Sequence, residues 1–269
     1  CMASSMSQGS HPDWPRIEMA QRLLQQNRLD EARAIYQALC TPGQQDADLW
    51  LNYAILCRKS GYYEQALAAS NQARLLRDDY ALAYHVHGSV QQCLGAMEEA
   101  MENYRRALVL QPSFAETHYL LGNALQMTGR AEQAAVSYRN AIDLRPNYLE
   151  ALGNLGAVLM NLHRYDEAQA CLQKASQLCP QSVQILCNLG DLALVRDNLD
   201  KAESLACSAI ELKPEFVDAH VLLSKVYRKR GDYDRVLECM ERARVIQPDN
   251  EFIIGSIAEI HEMRGEFNK

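Results

Sequence analysis

The chain contains no apolar run that approaches the length of a membrane span, which excludes a transmembrane helix. It has no surplus of positive charge. The formal net charge is −7, which argues against bulk electrostatic binding to nucleic acid. The opening CMASSMSQGS has no basic start and no apolar stretch, so it is not a secretory signal. Cys1 ahead of Met2 reads as an added residue or an internal start. No cysteine pair is spaced CxxC. The nine cysteines are Cys1, Cys40, Cys57, Cys93, Cys171, Cys179, Cys187, Cys207 and Cys239, an odd number that cannot all pair. They read as reduced thiols of a cytoplasmic protein, several serving as small core residues.

Catalytic signatures are missing too. GxxxxGK[ST] is absent, and His261–Glu262 does not continue into HExxH. LGNLGAVL, around Gly153 and Gly156, lacks the GxGxxG spacing and a preceding strand. His85 and His87 are two apart and do not share a helix face. Cys171, Cys179 and Cys187 are evenly spaced but do not converge. No nucleophile, base and orienter assemble, so no catalytic residue, metal site or cofactor is expected, and the chain is not read as an enzyme.

What the chain does have is a ruler. Of its eight prolines, Pro112, Pro146, Pro180, Pro214 and Pro248 follow one another at intervals of 34. With each proline at place 32 of a 34-residue unit, the units are 13–46, 47–80, 81–114, 115–148, 149–182, 183–216 and 217–250. An incomplete eighth, 251–269, holds a first helix alone, and residues 1–12 lie off the ruler as a linker-like tail. Place 8 is small in all eight: Ala20, Ala54, Gly88, Gly122, Gly156, Gly190, Ser224 and Ala258. Place 20 is Ala in six units and Val236 in the seventh, and place 27 is Ala in all but the first.

Places 4, 7, 8 and 11 fall on one face of a helix, and so do places 20, 24 and 27. Each unit is therefore two amphipathic helices of about 13 residues. Small residues at places 8 and 20 let the backbones approach, and large ones at 4, 7, 11 and 24 fill the space around them. His118 and His220, at place 4, read as packing histidines. Gly95, Gly129 and Gly231 occupy place 15, where the first helix must end and turn. Acidic residues then favour the second helix, and proline ends it. A lone pair of helices cannot bury both faces, so the units stack. The fold class expected is all-α, a right-handed α-solenoid.

This pattern, A-x-x-Y/H-x-x-L-G … Y/A … G … A … Y … A … P, resembles the tetratricopeptide repeat over residues 13–269. The resemblance implies a superhelix whose first helices line a concave groove with places 2, 5, 6, 9, 12 and 13. It implies binding of a protein or peptide there rather than catalysis. Those places lie opposite the packing face and are read as free of packing duty. Candidate contacts are Asn52, Asn154 and Asn188 at place 6, with Tyr119 at place 5. Asn123 and Asp191 stand at place 9, and Gln126 and Arg58 at place 12. The asparagines resemble those of O-linked N-acetylglucosamine transferases, where side-chain amides hold an extended backbone whatever its sequence. Lys225, Arg228 and Lys229 make a basic patch on an acidic chain, suited either to an acidic segment or to the helix dipole. The two-carboxylate clamp of the family's co-chaperones needs Lys at place 5, and this chain has none there.

Three roles stay open: an interaction scaffold, the recruitment domain of a larger transferase whose catalytic part lies outside this chain, and a solenoid that assembles with itself through its terminal repeats. Ile253, Ile254, Ile257 and Ile260 make the last helix apolar on more than one side, which is read as a chain that continues.

Overall fold

The computed structural model describes residues 13–263; the tail 1–12 and residues 264–269 lie outside the described residues. Helices alone make up the regular structure described, in the order α1 (Trp14–Gln25), α2 (Leu29–Leu39), α3 (Ala47–Lys59), α4 (Tyr63–Leu76), α5 (Ala81–Cys93), α6 (Met97–Leu110), α7 (Ala115–Met127) and α8 (Ala131–Leu144). They continue as α9 (Leu149–Asn161), α10 (Tyr165–Leu178), α11 (Val183–Val195), α12 (Leu199–Leu212), α13 (Val217–Arg230), α14 (Tyr233–Ile246) and α15 (Glu251–Met263). The chain divides into two compact units, Cys1–Leu144 and Arg145–Lys269. In each unit every odd-numbered helix up to α13 pairs with the helix that follows it, and successive pairs stack, as the all-α solenoid reading requires.

The small places are where helices meet. All seven residues at place 20, Ala32 through Val236, are fully buried. At place 8, a Cβ on Gly122 would lie 2.6 Å from the Tyr138 ring, and one on Gly156 2.6 Å from Leu172. Those partners sit at place 24 of the same pair, so the second helix packs directly on the hole left by the first. Ala258, at place 8 of α15, is exposed, because no described helix follows to cover it. On the opposite side α15 buries Ile253, Ile257 and Ile260 against α14, while Phe252 and Ile254 face outwards.

One backbone device closes each first helix from α1 to α13. Residues Asn27, Gly61, Gly95, Gly129, His163, Asp197 and Gly231 all have positive φ, between 57° and 82°. In each case the next amide donates back to the carbonyl five residues earlier: Arg28 to Leu23, Tyr62 to Cys57, Ala96 to Gln91, Arg130 to Leu125, Arg164 to Leu159, Asn198 to Ala193 and Asp232 to Tyr227. These bonds measure 2.8–3.0 Å and form the Schellman ending of a helix. Glycine takes this conformation without cost. Asn27, His163 and Asp197 take it at the expense of a crowded Cβ.

Second helices start on charge and stop on geometry. Each carries Asp or Glu in its first turn. The residue before proline is extended, with φ/ψ of −138°/86° at Gln111 and −147°/87° at Lys213, because the proline ring excludes the helical region there. Two histidines then fasten the junction. His118 Nε2–H donates to the Pro112 carbonyl at 3.0 Å, and His220 Nε2–H to that of Pro214 at 2.8 Å.

Candidate functional site

First helices of neighbouring pairs touch side by side: α3 with α5 and α5 with α7 in the first unit, α9 with α11 and α11 with α13 in the second. This contact revises the expectation that places 5 and 6 are free of packing. Ile17, Leu51, Cys187 and Leu222 are buried there, and so are Asn52 and Asn188. The reason lies between helices: Gly153 at place 5 receives the tip of Ile185 from the next pair, with only 2.8 Å left for a Cβ. Periodicity within one helix cannot show a face that is covered by its neighbour in the stack.

In the first unit, Asn52 is buried and its Oδ1 has no hydrogen-bond partner among the described residues; the same holds for Nε of half-buried Arg58. Buried polar atoms nearly always have partners, so α3 carries an acceptor and a donor whose hydrogen-bonding capacity is unused within the described residues. Arg58 also lies close enough to His85 and Tyr104 for its charge to act on both. Burial, reinforced by Arg58, pushes His85 down to about 4. Its Nδ1 hydrogen-bonds Thr117 Oγ1 at 2.8 Å and its ring stacks on Phe114, so it is a packed neutral imidazole. His87 faces elsewhere and bonds Ser70 Oγ at 2.9 Å.

Further along, the Tyr138 hydroxyl holds Asn123 and Gln126. It lies 2.7 Å from Asn123 Oδ1 and 2.8 Å from Gln126 Oε1, while its ring tilts against that of Tyr119 at 6.0 Å. These three candidates are therefore brought together around one buried tyrosine. Their outward amide and aromatic edges have a fixed orientation.

In the second unit the asparagine pair divides. Asn154 is half-buried. Asn188 Nδ2–H reaches the Gly153 carbonyl at 3.4 Å, and its Oδ1 accepts from Gln184 at 3.3 Å, so its amide ties one pair to the next. The basic residues are engaged as well. Lys225 pairs with Asp191 at 3.0 Å, Arg228 with Glu259 at 3.1 Å, and Lys229 with Asp197 at 3.0 Å. Lys229 also donates to the Leu194 carbonyl. Each cation thus reaches an acidic side chain on an adjacent pair. Exposed pairs of this kind are worth about 0–1 kcal/mol, so they cost little to exchange for a ligand's carboxylate. Sequence reasoning missed the pairing, although Asp191 and Lys225 share place 9 in successive units and the complementary charges were visible.

Among the described residues no group of three or more His, Cys, Asp or Glu side chains could hold a metal ion. No described helix is long and apolar enough to cross a membrane. Burial pushes the Cys187 and Cys239 thiols up to about 12, which makes both poor nucleophiles.

Family models described as TPR repeat or Tetratricopeptide repeat match residues 14–38, 88–129, 115–148, 147–215 and 187–251. No curated protein matches the sequence. Solved structures do. YrrB, described as a TPR protein with an unusual peptide-binding site, is 23% identical over 71% of this chain and 98% of its own, with a TM-score of 0.56. A tetratricopeptide repeat protein from Parabacteroides merdae is 16% identical over 92% of this chain and 98% of its own, with a TM-score of 0.71. The APC/C hetero-tetramer Cut9–Hcn1 gives 16% identity over 90% of this chain and 48% of that one, with a TM-score of 0.72. At these identities the likeness is one of fold.

Proposed function

The chain belongs to the tetratricopeptide repeat family, and from that premise we propose that it is a protein-interaction scaffold whose first helices receive an extended segment of a partner. The observation that carries this reading is the pair of orphaned polar atoms, Asn52 Oδ1 and Arg58 Nε, on α3. An acceptor and a donor without partners suit a peptide backbone, which offers both. Tyr119, Asn123 and Gln126 extend the same chemistry along α7. Arg58, beside a neutral His85, adds a positive charge with no acidic partner among the described residues, which favours a peptide with an acidic residue at that point. YrrB, a neighbour in fold, is described as having a peptide-binding site.

The test is a peptide array probed with the whole chain, followed by affinity measurement on the peptides selected. Replacing Asn52 and Arg58 together by Ala is expected to weaken a selected peptide by about a factor of ten or more, the worth of one charge-assisted hydrogen bond. Unchanged affinity would refute the assignment to α3. The triple variant Lys225→Ala, Arg228→Ala, Lys229→Ala asks the same of the basic patch.

A further inference from the structure

We propose that the cleft between α10 and the α11–α12 pair is a second binding site, one for an extended peptide segment that carries an acidic side chain. The cleft encloses about 610 Å³, within the range of ligand sites. It is lined by α10 of one pair and by the α11–α12 pair that follows, and none of its residues stands at the groove places just described. Its origin is a local departure from the repeat. Place 28 is Leu108 and Ile142 in the two preceding units and Ile210 in the following one, but Ser176 here. Place 21 is Leu67, Met101 and Ala135 in the three preceding units and Glu203 in the following one, with Gln169 here. At place 28, where both flanking units carry a branched aliphatic side chain, α10 presents a short hydroxyl, and a cavity opens beside it.

The wall of that cavity has the spacing of a peptide. Gln169, Gln173 and Gln177 line it from α10. They are four residues apart, so they advance about 6 Å per step along one face of the helix. An extended chain repeats its orientation every two residues, about 6.6 Å. Each glutamine offers one donor and one acceptor, as each peptide unit does. None of the three side chains has a hydrogen-bond partner among the described residues. Three successive amides therefore meet three successive like-facing peptide groups with little mismatch. Leu189 and Leu192 floor the cleft for an apolar side chain on the opposite edge.

Charge selects the segment. The lining contains Arg196 and Lys201 and no acidic residue, on a chain whose net charge is −7. Lys201 is exposed and has no acidic partner among the described residues. Arg196 holds Asp166 at 2.5 Å, but that carboxylate is 99% exposed and is easily exchanged. A glutamate or aspartate on the incoming strand would complete the cationic end of the site.

The experiment uses two fluorescein-labelled capped peptides, rich in Ser, Thr and Val, that differ only in a single central Glu or Lys. Binding to the whole chain is read by anisotropy. The Glu probe is expected to bind about tenfold or more tighter than the Lys probe, the effect of one charge-assisted contact. Gln169→Met with Ser176→Leu refills the cleft with the neighbouring repeats' residues; it is expected to melt no lower than the parent and to lose the Glu probe by a similar factor. Lys201→Glu, an exposed change that leaves the fold intact, is expected to invert the preference. Every measurement is repeated in the Asn52→Ala, Arg58→Ala background, which removes the α3 groove's own preference for an acidic peptide; the preference of the cleft for the Glu probe is expected to persist there. Equal binding of the two probes, no binding of either, or undiminished binding to both cleft variants would overturn the proposal.

Discussion

Gly122→Ala adds a single methyl group at the tightest point of the α7–α8 contact, and the structure sets its cost. The new Cβ would stand 2.6 Å and 2.7 Å from two carbons of the Tyr138 ring, against about 3.5–4.0 Å for a relaxed carbon contact. About an ångström must be found. Tyr138 is fully buried, its hydroxyl is tied to Asn123 and Gln126, and Tyr119 flanks its ring, so it cannot yield without breaking something. The first pair shows what yielding looks like. There Ala20 stands at place 8 opposite Tyr36, and the Tyr36 hydroxyl is buried without a partner. Overpacking costs about 1–3 kcal/mol, and the gain in helix propensity from Gly to Ala returns about 1 kcal/mol. The net expectation is a loss of about 1–2 kcal/mol. Gly255→Ala is the control: it sits in α15 with nothing within 4 Å of the added atom, so only the gain of about 1 kcal/mol applies. Urea unfolding followed by far-ultraviolet circular dichroism reads both as shifts of the midpoint. If Gly122→Ala unfolds at or above the parent midpoint, or alongside Gly255→Ala, place 8 is not a close-packed contact and the packing logic of the repeat fails.

Two further outcomes follow from the same structure. His163→Gly should stabilise the chain by up to about 1 kcal/mol, since it removes the crowding of a left-handed Cβ and loses only an exposed bond to Tyr165; a lowered urea midpoint would contradict this. Acid should weaken the fold through His85, whose folded pKa of about 4 lies below the ordinary value of 6.5. The unfolded chain then takes the proton first as pH falls, so this stabilisation is complete above about pH 6.5 and drains away towards pH 4, with about 2 kcal/mol gone at pH 5. Comparing midpoints at pH 7.5 and pH 5 for the parent and His85→Leu isolates this share, and equal pH dependence in the two would count against it.

The helices were legible because their causes are local. Prolines 34 apart fix where second helices stop, and small residues at places 8 and 20 fix which faces meet. The turn at place 15 was read from its glycines alone. His163 and Asp197 adopt the same left-handed backbone because the helices on either side dictate it, a tertiary demand that residue type does not announce. The site was less legible for a related reason. Whether Asn188 is free or spent depends on a carbonyl 35 residues earlier, and whether Lys225 is available depends on Asp191 in the preceding pair. Helical periodicity describes one helix at a time, whereas a groove is assembled from several.

The Schellman bond that ends each first helix from α1 to α13 makes the amides of Arg28, Tyr62, Ala96, Arg130, Arg164, Asn198 and Asp232 a matched set. All seven donate to the same kind of acceptor across the same turn, one every 34 residues. Their hydrogen exchange is therefore set less by the bond itself than by how firmly each helix pair is held by its neighbours. The chain carries a row of gauges along its own length, on which the tightening of one pair by a bound partner registers separately from the rest.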